Sequence, residues 1–110
     1  MSFLKNNKIK QAENVFVGIL KQNPKHAATQ HMLGMVRYRQ GQLNAALKLV
    51  KKAIKRQPNH AAWYRNLSTI YRDLGLKAEA LAAEEHAQKL KTRIKEDRGD
   101  AKVNFDAIMP

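Results

Sequence analysis

The chain has 110 residues, enough for one small domain, and no cysteine, which excludes disulfides, thiolate metal sites and cysteine nucleophiles. Its net charge is +12. Residues 1–72 hold 14 lysines and arginines and one acid, Glu13, whereas residues 73–110 hold 7 basic and 8 acidic residues. This imbalance favours an anionic partner, although it does not specify a fold.

The sequence carries no pattern for insertion into or passage across a membrane. Its longest apolar stretch, residues 15–20, is far shorter than the roughly 20 residues that a membrane-spanning helix needs. The N-terminal residues lack the apolar segment and cleavage site of a secretory signal. We therefore expect a cytoplasmic protein with no membrane span.

A repeat with a period of 34 residues runs through the chain. A shift by this period superposes Ala12, Ala46 and Ala80, and it places Gly41 on Gly75. This period, with apolar residues at helical spacing, is typical of antiparallel helix pairs that stack into a solenoid. We therefore expect an all-α solenoid of helix hairpins with about two and a half repeats and a long C-terminal capping helix.

The first repeat is partial and covers residues 1–26. Residues 1–8 correspond to the end of a first helix, and residues 9–22 carry the apolar spacing of a second helix. Asn23-Pro24 ends this second helix, because a residue that precedes proline avoids the helical conformation. The repeat register thus predicts a break between two helices near Lys8.

The full repeat covers residues 27–60 and has the clearest pattern. We expect helices over about residues 27–39 and 43–56, with Gly41 between them and Pro58 after them. The third repeat covers residues 61–97, with a first helix to about residue 74 and an extended last helix from about residue 77. Residues 98–110 form a tail for which we expect partial order.

The recurring spacing of small and large residues within each hairpin resembles the tetratricopeptide repeat family over about residues 1–97. The residues that carry the resemblance are Leu33, Gly34, Tyr38, Gly41, Ala46, Val50, Ala53, Pro58, Leu67, Ser68, Tyr71, Gly75, Ala80 and Ala87. Small residues are needed where two helix axes approach to about 8 Å. We therefore expect Gly34 to face Ala46, and Ser68 to face Ala80. Arg37 departs from the family pattern, since it stands where an aromatic residue is usual.

The resemblance implies a non-catalytic interaction module or scaffold that holds a peptide in a concave groove lined by the first helix of each hairpin. Carried over to this sequence, the groove consists of His31, Met35, Tyr38, Arg39, Arg65, Asn66, Thr69 and Arg72. Arginine binds carboxylates through paired hydrogen bonds, so this groove suits an acidic peptide or protein segment. Ordinary solvated arginines remain the alternative interpretation.

A second basic feature lies on the second helix of the full repeat. Lys48, Lys51, Lys52 and Lys55 follow one another at helical spacing and form a lysine stripe. The stripe could bind a polyanion such as nucleic acid through phosphate contacts. No aromatic side chains for base stacking interleave the lysines, which favours a solubilising surface instead.

Two further hypotheses concern the context of the chain. It could be an accessory region of a larger protein, since similar repeats precede the catalytic domain of some bacterial glycosyltransferases and sulfotransferases. It could also form a homodimer, because the partial first repeat should leave Phe3, Leu4, Phe16 and Ile19 partly uncovered. Residues 100–110 offer another way to cover them.

No motif in the sequence indicates catalysis, a metal site or a cofactor. The four histidines, His26, His31, His60 and His86, have no cysteine or carboxylate at ligand spacing. The first 72 residues offer one carboxylate and no glycine-rich phosphate loop. We therefore expect no enzyme activity and no cofactor.

Overall fold

The computed structural model describes the backbone of residues 2–108 and the side chains of residues 7–92. Within these limits the chain forms helices throughout, joined by short turns. The helices are α1 (Ser2–Gln22), α2 (Ala27–Arg39), α3 (Leu43–Arg56), α4 (Ala61–Asp73) and α5 (Lys77–Ile108). The all-α fold class is therefore confirmed.

The helices pack in chain order, as a solenoid of hairpins requires. The pairs α2–α3 and α4–α5 form the two hairpins, α1 packs against α2, and α3 packs against α4. The only other helix pair in contact within the described chain is α2 with α4. The first helices of the two hairpins therefore lie side by side on one face, which we call the inner face.

The turn inside each hairpin depends on a left-handed glycine. Gly41 has a φ angle of +77° and Gly75 one of +80°. In the first turn Gly41 N donates to Tyr38 O at 3.0 Å, and the next residue donates to Arg37 O at 2.9 Å. This hydrogen-bond pair satisfies the last carbonyl groups of the first helix and reverses the chain.

The expected break near Lys8 is wrong, because α1 is one continuous helix from Ser2 to Gln22. The repeat register places Asn7 at the position of Gly41 and Gly75, and Asn7 remains helical. Asparagine enters the left-handed conformation more readily than most residues, but less readily than glycine. Without glycine or proline at this point, the helix continues.

The helices of each hairpin cross at small residues, which confirms the expected pairing. A Cβ atom on Gly34 would lie 2.8 Å from Val50 Cγ2 and 3.3 Å from the carbonyl oxygen of Ala46. In the second hairpin Ser68 Oγ donates a hydrogen bond of 2.8 Å to the carbonyl oxygen of Ala80. The small side chains thus permit close contact between the backbones.

The core lies between the stacked hairpins and contains side chains from all of α2 to α5. Val50 and Ile70 are fully buried, and Leu67 and Leu90 complete the same cluster. A smaller cluster joins Ala27, Ala53 and Trp63. Each hairpin therefore buries its apolar face against its neighbour, as in other solenoids.

The last helix continues beyond the expected repeat boundary. No break marks residue 97, and α5 extends to Ile108 through most of the segment that we expected to be a partly ordered tail. No proline interrupts this segment. None of the described helices has an apolar stretch long enough to span a bilayer.

Candidate peptide-binding face

Two hydrogen bonds join α2 to α4 across the inner face. Asn66 Nδ2 donates to His31 Nε2 at 2.9 Å, and the hydroxyl group of Tyr38 donates to Asp73 Oδ2 at 2.5 Å. The partners in each pair are 35 residues apart, one more than the repeat period. These hydrogen bonds thus connect the α2 part of the expected groove to its α4 part at two positions along the helices.

His31 is buried beneath this face, and its side chain is not a charged group that a ligand could contact. Its side chain is 8% exposed and stacks on Trp63 with a ring separation of 4.9 Å. Burial, with a smaller contribution from the nearby His60, lowers the pKa of His31 to about 4. The neutral imidazole therefore accepts the hydrogen bond from Asn66, and His31 serves to connect the helices.

Asp73, the one acidic residue of α4, accepts a hydrogen bond from Tyr38. The interaction with Asp73 raises the pKa of Tyr38, because the carboxylate stabilises the protonated phenol. Both side chains lie at the C-terminal ends of their helices, beside Arg39 and Arg72. The carboxylate is thus already engaged by an uncharged donor.

The arginines expected in the groove are exposed, and none of them has an ion-pair partner among the side chains of residues 7–92. Arg39, Arg65 and Arg72 all face solvent. Among the side chains that the structure describes, the one ion pair joins Arg37 to Glu13. The hydroxyl group of Thr69, which lies between Arg65 and Arg72 on α4, donates to the carbonyl oxygen of Arg65 at 3.1 Å.

The unusual Arg37 has a structural role between α1 and α2. Its guanidinium group forms the ion pair with Glu13 and donates to Gln40 Oε1 at 3.0 Å. The hydrogen bond from Arg37 lowers the pKa of Glu13. The only acid in the first 72 residues is therefore neutralised within the fold.

Two residues of the expected groove also line an apolar cavity between α1 and α2, which we call the α1–α2 groove. Its volume is about 370 Å³, and it is lined by Lys8, Ile9, Ala12, Phe16, Met32, Met35, Val36 and Arg39. The family resemblance predicts that Met35 and Arg39 line a groove, but it does not indicate the contribution of α1. The recurrence of Ala12 at the positions of Ala46 and Ala80 was the signal that could have placed α1 beside this cavity.

The lysine stripe is exposed along α3, away from the inner face. Lys48, Lys51, Lys52 and Lys55 border a cavity of about 720 Å³ together with Asn44, Leu47, Ile54 and Leu67. Helical spacing predicts the row of lysines, but it does not predict the apolar floor formed by Leu47, Ile54 and Leu67. The floor arises because Leu67 of α4 lies beside α3, a contact that helical spacing within one segment does not reveal.

The histidines have local roles in the fold. His26 caps the N-terminus of α2, where its Nδ1 atom accepts a hydrogen bond of 3.3 Å from Thr29 N. His60 stacks on Trp63 at 4.0 Å, and His86 stacks on Tyr64 at 4.1 Å. Among the described side chains, no three potential metal ligands lie close enough to hold an ion.

Within the described chain, α1 forms one end of the solenoid, and it exposes apolar side chains. Val15 is 58% exposed, Ile19 is also exposed, and Phe16 is partly buried. The side chains of Phe3 and Leu4, which we expected in the same surface, lie outside the described residues. Self-association through this end stays a prediction.

The hairpin geometry and the 34-residue period define an α-solenoid built from repeats, a class of protein that presents extended binding surfaces. Residues 31–94 match the profile described as tetratricopeptide repeat. This match covers more than half of the chain. The chain therefore belongs to the tetratricopeptide repeat family, which confirms the resemblance and supports a general role in protein–protein interaction.

Solved structures of MamA have a similar fold. The structure named MamA MSR-1 C2 is 24% identical with a TM-score of 0.72, and the match covers 83% of this chain and 52% of that chain. The structure named Crystal structure of MamA is 19% identical with a TM-score of 0.76, over 84% of this chain and 54% of that chain. The chain thus spans about half the length of these structures, and identity at this level establishes the fold alone. A search of curated proteins finds no match.

Proposed function

We propose that the chain is a non-catalytic scaffold that binds an extended acidic peptide or protein segment along its inner face. The observation that carries the proposal is the set of exposed guanidinium groups of Arg39, Arg65 and Arg72. They have no carboxylate partner among the described side chains. An acidic segment would supply the missing carboxylates through charge-assisted hydrogen bonds.

The remaining inner-face residues support this role in different ways. Met35 and Tyr38 are partly buried and offer apolar contact area beside the arginines. The hydrogen bond between His31 and Asn66 holds α2 and α4 at a fixed separation. A surface fixed before binding loses less conformational entropy when the peptide arrives.

A direct test uses a fluorescein-labelled extended peptide of alternating aspartate and valine, followed by fluorescence anisotropy. The double variant Arg65→Glu/Arg72→Glu should weaken binding by roughly tenfold or more, because it removes two charge-assisted contacts. The matched control is Arg56→Glu, another exposed arginine at the end of α3, which should change affinity less than about twofold. Equal binding by the double variant and the wild type would refute the proposal.

A second candidate function is polyanion binding through the lysine stripe. It is supported by the exposure of all four lysines and by their position along one cavity wall. Nucleic acid held by these lysines should show a steep salt dependence, with a slope of about 0.9 for each phosphate contact. A salt-independent affinity, or unchanged binding after Lys51→Glu/Lys55→Glu, would exclude it.

A further inference from the structure

In each of the two hairpins, the first helix crosses the second helix at a small residue. The α1–α2 groove lies at the equivalent repeat position on α1. Ala46 is 0% exposed because α2 crosses it at Gly34, and Ala80 is 4% exposed because α4 crosses it at Ser68. Ala12 has the same repeat position on α1. Within the described chain, α1 packs against α2 alone, so Ala12 is half-buried and lines the groove.

The groove has the composition of a helix-binding surface. Ile9, Ala12 and Phe16 recur at helical spacing on α1, and they face Met32, Met35 and Val36 of α2 across the groove. Met32 is 48% exposed, so much of this large apolar side chain is available to a partner. Apolar rows on two adjacent helices form a groove that accepts the apolar face of a third.

The charges around the groove restrict its occupant. Lys8 and Arg39 line it and are exposed. Glu13, the one acid of α1, is already paired with Arg37. The helices of a second copy that have the first-helix pattern, α2 and α4, carry arginines and no acid other than Asp73, so like charges would meet in such a pairing.

We propose that the α1–α2 groove binds an acidic amphipathic α-helix of a partner protein, which takes the place of a first repeat helix. Its apolar face carries a small residue opposite Ala12, as Gly34 and Ser68 do opposite their partners. Its acidic flanks contact Lys8 and Arg39. The site shares Met35 and Arg39 with the surface proposed for the extended peptide, but it is otherwise formed by α1 and α2 and does not use α4.

The test uses a fluorescein-labelled synthetic helix with a Leu-Gly pair at the centre of its apolar face and glutamate on both flanks. Ala12→Leu fills the crossing point and should weaken binding roughly tenfold or more. Ala45→Leu is the matched control, since Ala45 is exposed on α3 next to the equivalent Ala46. Lys8→Glu should weaken binding several-fold, whereas Lys10→Glu, an exposed residue of the same helix outside the groove, should not.

Circular dichroism and anisotropy with the extended peptide verify that the variants remain folded. Lys8→Glu alters an exposed side chain, so this variant tests the proposal even if Ala12→Leu disrupts α1. Equal affinity for a helix with lysine on its flanks, or unchanged affinity in both Ala12→Leu and Lys8→Glu, would overturn the proposal. A dimer that excludes the synthetic helix and that Ala12→Leu dissociates would also overturn it, in favour of a second copy. Arg65→Glu/Arg72→Glu should leave helix binding intact, which separates this site from the proposed function.

Discussion

The hydroxyl group of Ser68 donates a hydrogen bond of 2.8 Å to the carbonyl oxygen of Ala80, at the point where α4 crosses α5. Ser68 is 1% exposed. This hydrogen bond satisfies the buried hydroxyl group and lets the two backbones approach closely. The contact between Gly34 and Ala46 occupies the equivalent position in the preceding hairpin. Both hairpins therefore depend on a small residue at one position.

Replacement of Ser68 should destabilise the fold either through loss of its hydrogen bond or through overpacking. Ser68→Ala should lower the free energy of unfolding by about 1 kcal/mol, the usual value of one buried hydrogen bond. Ser68→Leu should cost about 1–3 kcal/mol through overpacking. Urea unfolding measures both, with Thr69→Ala as the control, because that hydroxyl group is bonded only within α4 and is exposed. Equal effects at both positions would contradict the packing argument.

Gly34 and Gly18 should respond in opposite ways to alanine. In Gly34→Ala the new Cβ atom would lie 2.8 Å from Val50 Cγ2. We expect this clash to outweigh the gain in helix propensity of about 1 kcal/mol, so the variant loses stability. Gly18 has no atom within 4 Å of a new Cβ, and Gly18→Ala should gain up to about 1 kcal/mol. Thermal unfolding of the two variants decides the point, and a stabilised Gly34→Ala protein would refute it.

The glycine in each hairpin turn should tolerate asparagine better than alanine. Gly75 has a φ angle of +80° with open space around it, so conformational strain alone sets the cost. Gly75→Ala should lose about 1 kcal/mol or slightly more. Gly75→Asn should lose less, because asparagine enters the left-handed region more readily. The denaturant midpoints of the two variants, with unchanged m-values, measure the loss of stability. An equal loss in Gly75→Ala and Gly75→Asn would argue against the left-handed conformation as its cause.

The stability of the fold should decrease as the pH falls from 7 to 5. The folded state holds the pKa of His31 at about 4, below its ordinary value of 6.5, so the unfolded state binds more protons between these values. Protonation therefore favours unfolding, by about 1 kcal/mol between pH 7 and pH 5 after allowance for solvent screening. The stability contribution of the neutral ring is complete above pH 6.5 and is lost as the pH falls toward 4.

Urea unfolding at both pH values should show this decrease in the wild type and a flatter profile in His31→Gln. His26→Gln is the control, because His26 is exposed at the start of α2. If His31→Gln retains the full pH dependence, another group is responsible.

Much of the architecture follows from local sequence pattern. The bounds of α2, α3 and α4 agree with the expected helices because glycine, proline and apolar spacing act within a few residues. The expected extent of α1 failed for a related reason. Repeat register predicted a turn at Asn7, but the local preference for helix prevailed where glycine was missing.

The candidate sites were predicted less completely from the sequence than the helices were. The expected inner-face arginines are exposed, but the sequence did not indicate that His31 is buried and neutral. It also did not indicate that the lysine stripe borders an apolar cavity with Leu67. These features depend on which side chains meet between hairpins, and a linear period does not specify the angle or separation of the stack.

The sequence by itself determined the hairpin period and the small residues at the helix crossings, because each reflects spacing along the chain. Tertiary structure alone decided that His31 bonds to Asn66, that Tyr38 engages Asp73, and that Ala12 remains accessible in a groove. The physical reason is that such contacts join residues from different helices. Their distances are set by the packing of whole hairpins against one another, to which every buried side chain contributes.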